Sequence, residues 1–142
     1  MSEAETIQSD FILIHGDVVT NMDLPKLLKA HEERLERDKK SIMTMVFKKA
    51  PASCATRSSK DDRVIALDLD NHNQILMFDN AAQKTVVDIP TAVMKGRSVV
   101  QIRYDLMDSY VCVCSPEVLL RFVDEFDYQD IREDFVKGNA PI

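Results

Sequence analysis

The apolar pattern of the chain opens at Phe11-Ile12-Leu13-Ile14, followed by His15-Gly16-Asp17 and then Val18-Val19. An unbroken run rich in Ile and Val predicts a strand buried on both faces. At such a place Leu13→Ala would cost roughly 2–5 kcal/mol. Gly16 allows a turn or a close backbone approach. Asp17 then stands at the carboxyl end of the strand, where open α/β sheets bind ligands. Leu24, Leu27, Leu28, His31 and Leu35 recur at three- and four-residue spacing, with Lys29, Glu32, Glu33, Arg34, Glu36 and Arg37 on the other side. This predicts an amphipathic helix over roughly 24–39, with Thr20, Asn21 and Asp23 as candidate N-caps and Pro25 near its first position. Residues 41–47 read as a second strand. Strand, helix and strand at this spacing predict a right-handed crossover between parallel strands.

The loop 48–62 is rich in Ser, Thr, Ala and charge and reads as exposed. Residues 63–69 and 74–78 are β-rich arms around Asp70-Asn71-His72-Asn73, residues that tolerate the left-handed region, so a hairpin is predicted. Residues 85–89 read as a short strand ended by Pro90. Residues 99–104 alternate, with Val100 and Ile102 inward, as in a half-buried strand. Residues 110–114 are apolar throughout and read as buried. Ser115 then caps a helix with Pro116 at its first position and Val118, Leu119, Phe122 and Val123 on one face. Residues 125–138 read as a turn and a short helix ended by Gly138. The fold class expected is α/β: a mostly parallel sheet with flanking helices and an inserted β-hairpin. The expected boundaries are a flexible tail over 1–9 and a single partial domain over 10–142.

The length of 142 residues suits one domain, and 45% hydrophobic with 30% charged residues is ordinary for a soluble one. A net charge of −6 disfavours gripping nucleic acid, whose affinity comes largely from basic contacts to phosphate. Lys48-Lys49 and the Lys95/Arg97 pair are too sparse to change that. The three cysteines, Cys54, Cys112 and Cys114, are odd in number and form no C-x-x-C pair, which predicts a reducing compartment. The sequence has no apolar stretch of membrane-spanning length, and its first residues are polar and acidic, unlike a signal peptide. A cytosolic location is expected.

Asp17 could hold Mg²⁺ beside a phosphate or cap the next element. Cys112 and Cys114, two apart on a strand, point to one face, and with no further ligands evident they read as core. His15, His31 and His72 are scattered, and no nucleophile or carboxylate is placed to make a triad with them. His31, on an apolar stripe, reads as a satisfied core histidine. Neither a metal nor a cofactor is predicted. Phe126 and Tyr128, interleaved with acids, either pack on the preceding helix or form a docking surface.

The strand ending Gly16-Asp17, the helix entered through Asn21-Met22-Asp23-Leu24, and Asp108-Ser109-Tyr110-Val111-Cys112-Val113-Cys114-Ser115-Pro116-Glu117-Val118-Leu119 together resemble the sugar-nucleotidyltransferases. The match is closer to one non-enzymatic branch. Asp10 to Asn21, Met43-Thr44-Met45-Val46-Phe47-Lys48, Val100 to Asp108, and Phe126-Asp127-Tyr128-Gln129 ahead of Arg132-Glu133-Asp134-Phe135-Val136-Lys137-Gly138 resemble the epsilon-subunit family of translation initiation factor 2B. That factor is the guanine-nucleotide exchange factor for initiation factor 2. The resemblance implies the latter portion of a nucleotidyltransferase-like, Rossmann-like domain, lacking the upstream phosphate loop and the C-terminal exchange domain. It implies a non-catalytic scaffold in translation initiation, partnered by the gamma subunit and by initiation factor 2. Asp17 falls at the enzymes' metal position as a vestige. Asp79-Asn80-Ala81 stand where the enzymes carry Glu-Lys-Pro, which removes the lysine for the sugar phosphate. The resemblance also implies a partner-binding stretch at Glu125, Phe126, Asp127, Tyr128 and Gln129, where the family pattern is Asn-Phe-Asp and Glu125 replaces the Asn. The alternative function is a truncated, Mg²⁺-dependent sugar-nucleotide pyrophosphorylase working through Asp17.

Overall fold

The computed structural model describes residues 7–142. Of the tail expected over 1–9, residues 1–6 lie outside the described residues and 7–9 are exposed. In chain order the elements are β1 (Phe11–Ile14), α1 (Leu24–Arg37), β2 (Met43–Lys49), β3 (Arg63–Asp68), β4 (Gln74–Asn80), α2 (Thr91–Met94), β5 (Val100–Arg103), β6 (Leu106–Cys114) and α3 (Pro116–Asp124). A π-helical turn (Ile131–Val136) and the short α4 (Lys137–Asn139) follow. These residues form two compact units. One combines the chain up to Val46 with Asp108–Tyr128, and the other combines Phe47–Met107 with Gln129–Ile142.

The first unit holds a three-stranded sheet in the order β1-β6-β2. β1 is antiparallel to β6, with Phe11 opposite Cys114 and Ile14 opposite Val111. On the other side of β6 the Ser109 hydroxyl donates to the Val46 carbonyl, and the Ser115 N–H donates to the Ile42 carbonyl. β2 is therefore antiparallel to β6 as well. The expected mostly parallel sheet is thus overturned: the described strands form two small antiparallel sheets. The physical reason is the position of β6. β1 and β2 run in the same sense, as a crossover through α1 requires, but β6 lies between them and takes the hydrogen bonds of both.

β6 is also the strand buried on both faces, with Val111, Cys112, Val113 and Cys114 at 0% exposure. β1, at the sheet edge, is only half-buried, and Ile14 is exposed. The double burial expected of Phe11–Ile14 therefore belongs to 111–114. The backbone of β6 enters the left-handed region at Tyr110 (φ 58°), where the Asp108 carboxylate accepts from the Tyr110 N–H at 2.8 Å. The helix α1 begins as expected, with the Asp23 carboxylate accepting from the Lys26 N–H at 3.1 Å and Pro25 in the first turn. Arg34 and Arg37 in the last turn suit the negative end of the helix dipole. α3 also starts where expected, but the Ser115 hydroxyl is buried without a hydrogen-bond partner. The carbonyl of Ser115, not its side chain, meets the Val118 N–H. Val118 is buried, whereas Val123, placed inward by the sequence pattern, lies out.

The second unit holds the sheet β4-β3-β5, also antiparallel. The hairpin forms as expected. His72 and Asn73 take positive φ (53° and 62°), and the Asp68 carboxylate accepts from the Asp70 and Asn71 N–H groups. Ile65, Ala66, Phe78, Phe135 and Val136 form its buried centre. Phe47 meets Phe78 at a ring distance of 6.3 Å. Ile142 exchanges both backbone hydrogen bonds with Ile75, at 3.0 Å each. In β5 the expected alternation fails at Ile102, which is exposed. The expected strand at 85–89 does not form: these residues lie outside any ladder, and Val86 is 73% exposed. β-branched residues alone do not make a strand without a partner edge. The expected helix near the chain end is wound as a π-helix, in which the Phe135 N–H reaches the Asp130 carbonyl at 3.2 Å. Gly138 lies inside α4 and does not end it.

Candidate functional site

α3 leaves its axis at Glu125, whose backbone is extended. A turn follows, closed by the Tyr128 N–H donating to the Glu125 carbonyl at 3.1 Å. This geometry sends the two aromatics opposite ways. Tyr128 folds back on α3, with its ring 6.1 Å from that of Phe122 and tilted by 47°. Phe126 is left 98% exposed. Glu125 and Asp127 beside it are exposed too. The alternatives of packing and docking are therefore divided between residues: Tyr128 packs and Phe126 does not. An isolated exposed Leu or Val is ordinary, but a fully exposed aromatic leaves a large apolar area in water, and aromatics anchor interfaces. Gln129 belongs to the second unit, where its N–H donates to the Asp134 carboxylate at 2.9 Å. The Asp130 N–H makes the same bond, and the two together hold the Asp134 carboxyl below the usual carboxylate range.

The outer face of α3 leads into this turn. Leu120 and Val123 are 54% and 62% exposed, three residues apart and hence adjacent on the helix surface. Glu117 and Arg121 pair beside them, one turn apart. Val123 satisfies the apolar spacing that predicts an inward position, but the inward stripe ends at Phe122.

The remaining candidates are spread out. Asp17 is exposed in a turn after β1, in which the Val18 N–H donates to the His15 carbonyl at 3.1 Å. A side chain built at Gly16 would meet nothing within 4 Å, so no close approach requires the glycine. Among the described residues no group of three or more His, Cys, Asp or Glu is placed to hold a metal. Cys112 and Cys114 are buried with their sulfurs 3.7 Å apart, as core residues. His15 packs on the Tyr110 ring at 5.0 Å. His31 is fully buried, and its Nδ1 shares a 2.8 Å hydrogen bond with the Thr44 hydroxyl. Its Nε2 lies 3.5 Å from the Asp10 carboxylate. Burial lowers the His31 pKa, outweighing the opposite pull of Asp10. His31 is thus a core histidine as expected, but only its Nδ1 is satisfied: the buried Nε2 has no hydrogen-bond partner among the described residues.

No protein-family model matches the chain. Two curated proteins match it along nearly its whole length. One is the translation initiation factor eIF2B subunit epsilon of Dictyostelium discoideum, 48% identical over 134 residues, or 94% of this chain and 19% of that protein. The other is the subunit of the same name from Schizosaccharomyces pombe, 37% identical over 138 residues, or 97% of this chain and 20% of that protein. The chain is homologous to a segment of the eIF2B epsilon subunit. It spans about a fifth of the length of these two relatives.

In this chain Asp79 ends up in an ionic cluster. Its carboxylate accepts from the Lys84 ammonium at 2.9 Å and from the Lys137 ammonium at 2.8 Å. Burial raises its pKa, but the two lysines outweigh burial and hold it below the ordinary value. A cavity of about 350 Å³ opens beside it, lined by Leu76, Phe78, Val93 and Pro141 with Arg97 at its rim. No motif in the sequence announces this cavity, because its walls come from four separate stretches. Arg97 is held by Asp68 at 3.2 Å and by main-chain carbonyls of α2 and Lys95. Its charge is thereby satisfied within the protein. Among the described residues no helix is long and apolar enough to cross a membrane.

Proposed function

We propose that this chain serves in translation initiation as a non-catalytic scaffold and docking portion of an eIF2B epsilon subunit. On this reading the parent protein is the guanine-nucleotide exchange factor for initiation factor 2, and it works in the cytosol. Residues 10–142 represent one partial nucleotidyltransferase-like domain that joins the gamma subunit and helps present initiation factor 2 to an exchange domain elsewhere. Within the stretch Glu125, Phe126, Asp127, Tyr128 and Gln129, the exposed Glu125, Phe126 and Asp127 contact the partner, with Phe126 as anchor and Tyr128 fixing the turn against α3. Asp17 is a vestige of a metal position and carries no catalysis. The single observation that supports this reading is the 48% and 37% identity to two proteins named as eIF2B epsilon over almost the entire chain. The exposure of Phe126 gives the docking stretch its physical basis.

The test is a pair of binding assays with the chain immobilised. One offers purified initiation factor 2, the other purified gamma subunit. Retention of both is expected, with no acceleration of GDP release from initiation factor 2. Phe126→Ala with Asp127→Ala should weaken retention of initiation factor 2 and leave that of the gamma subunit intact. A chain that retains neither protein refutes the scaffold reading. Retention unaffected by the double substitution refutes the assignment of the stretch.

A further inference from the structure

Two exposed apolar residues of α3 and one of the following turn recur every three residues: Leu120, Val123 and Phe126. Leu120 and Val123 lie on the side of α3 turned away from buried Val118, and Phe126 follows two residues beyond the helix end. The charges interspersed among them are of one sign once the internal pair is set aside. Arg121 is neutralised by Glu117, while Asp124, Glu125 and Asp127 are exposed and no described partner pairs with them. The face is thus an apolar stripe with an acidic border.

We infer that this stripe docks a protein segment that offers apolar side chains flanked by Lys or Arg. The inference rests on the docking role proposed above for the turn at Phe126, and it extends that site onto the outer face of α3. Charge decides the occupant. A second copy of this chain would set Asp124, Glu125 and Asp127 against their own images, and like charges facing each other across an interface oppose association. Nucleic acid would be repelled in the same way. A basic segment gains attraction from the border, and its apolar residues cover Leu120, Val123 and Phe126. Central apolar anchors surrounded by complementary charge are the usual anatomy of such a site.

The experiment uses the whole chain and two fluorescent probe peptides of the same length. One alternates Leu with Lys, the other Leu with Glu. Anisotropy titrations are run at low and moderate salt. The chain should bind the Lys peptide and not the Glu peptide, with weaker binding as salt rises. Leu120→Ser with Val123→Ser should weaken binding about tenfold or more, and Asp124→Lys with Glu125→Lys should weaken it and flatten the salt dependence. Both pairs are exposed, so thermal melts should match wild type. If Phe126→Ala weakens binding but Leu120→Ser with Val123→Ser does not, the turn is the docking site and the extension onto α3 is wrong. If no variant changes binding, the turn and its extension both fail. A concentration-dependent dimer in sedimentation, abolished by Val123→Ser, overturns the basic-segment occupant in favour of a second copy.

Discussion

Val113 and Leu13 lie on the paired strands β6 and β1, one residue out of direct register and so on opposite faces of the sheet, and truncating each to Ala tests the strand order of the first unit. Val113 is 0% exposed at the centre of β6. Removing its two methyl groups forfeits about 1.6 kcal/mol of transfer free energy at about 0.8 kcal/mol per carbon. The cavity left on the covered face of β6 adds about 1 kcal/mol, for a total near 2.5 kcal/mol. Leu13→Ala removes three carbons, but Leu13 is only half-buried on an edge strand. Half of about 2.4 kcal/mol is about 1.2 kcal/mol, and water can fill the space, so no cavity cost is added. The smaller truncation therefore costs about twice as much as the larger one. Urea denaturation followed by far-ultraviolet circular dichroism measures both, with the slope m checked for constancy. If Leu13→Ala costs as much as Val113→Ala or more, β1 is central and the sheet order β1-β6-β2 is wrong.

Glu133→Ala strips the partner from the Arg63 guanidinium, whose side chain is 6% exposed and lies 2.7 Å from the Glu133 carboxylate. The loss should be about 2 kcal/mol, discounted because Glu133 is itself partly in water, and a loss below about 0.5 kcal/mol in urea melts would show the pair to be idle. Since burial keeps the His31 imidazole neutral below its ordinary range, the unfolded chain binds the proton first. Stability should be complete above about pH 6.5 and decline as pH falls below it; His31→Gln should flatten that part of the profile, and an unchanged slope between pH 5 and 7 would contradict this. Arg103 donates to both oxygens of Asp105, at 2.6 and 2.7 Å, and these hydrogen bonds hold the carboxyl at about 2. Its stabilising effect is present above the unfolded value and fades as pH falls through about 2; carboxyl NMR titration of Arg103→Gln should return Asp105 toward about 3.9. Phe126→Ala should leave the urea midpoint within about 0.5 kcal/mol of wild type, because the ring touches so little; a larger drop would mean Phe126 is packed.

Local features were legible wherever the residue types themselves carry the geometry. Asp23 and Pro25 start α1, and Asp70-Asn71-His72-Asn73 turn the hairpin, because short polar side chains bond nearby N–H groups and tolerate the left-handed region. The burial of Cys112 and Cys114 followed from an unbroken apolar run. Strand neighbours were not legible. Periodicity reports how many faces of a strand are covered and is silent on which strand lies alongside, so β6 between β1 and β2 left no trace in the order of the runs. The same limit made residues 85–89 look like a strand. At the candidate site, the sequence brought Phe126 and Tyr128 together as one aromatic pair. The single hydrogen bond from Tyr128 to Glu125 separates them, and the direction of one turn is beyond any composition argument. The π-helical winding at Ile131–Val136 is equally silent, since Asp130 caps a π-turn as readily as an α-turn.

The interleaving of the two units also governs how the chain is made. β1, α1 and β2 leave the ribosome before the strand that bridges β1 and β2, which lies between Leu106 and Cys114. From Lys49 to Cys114 roughly sixty-five residues must be added, about 3–13 s of elongation at 5–20 residues per second. For that interval two strands with unsatisfied edges wait on a growing peptide. A rare-codon pause that holds residues 106–114 inside the ribosome would lengthen the wait, and one placed before Lys49 would not. Synonymous changes in this short window, which alter no amino acid, should therefore shift the yield of folded protein.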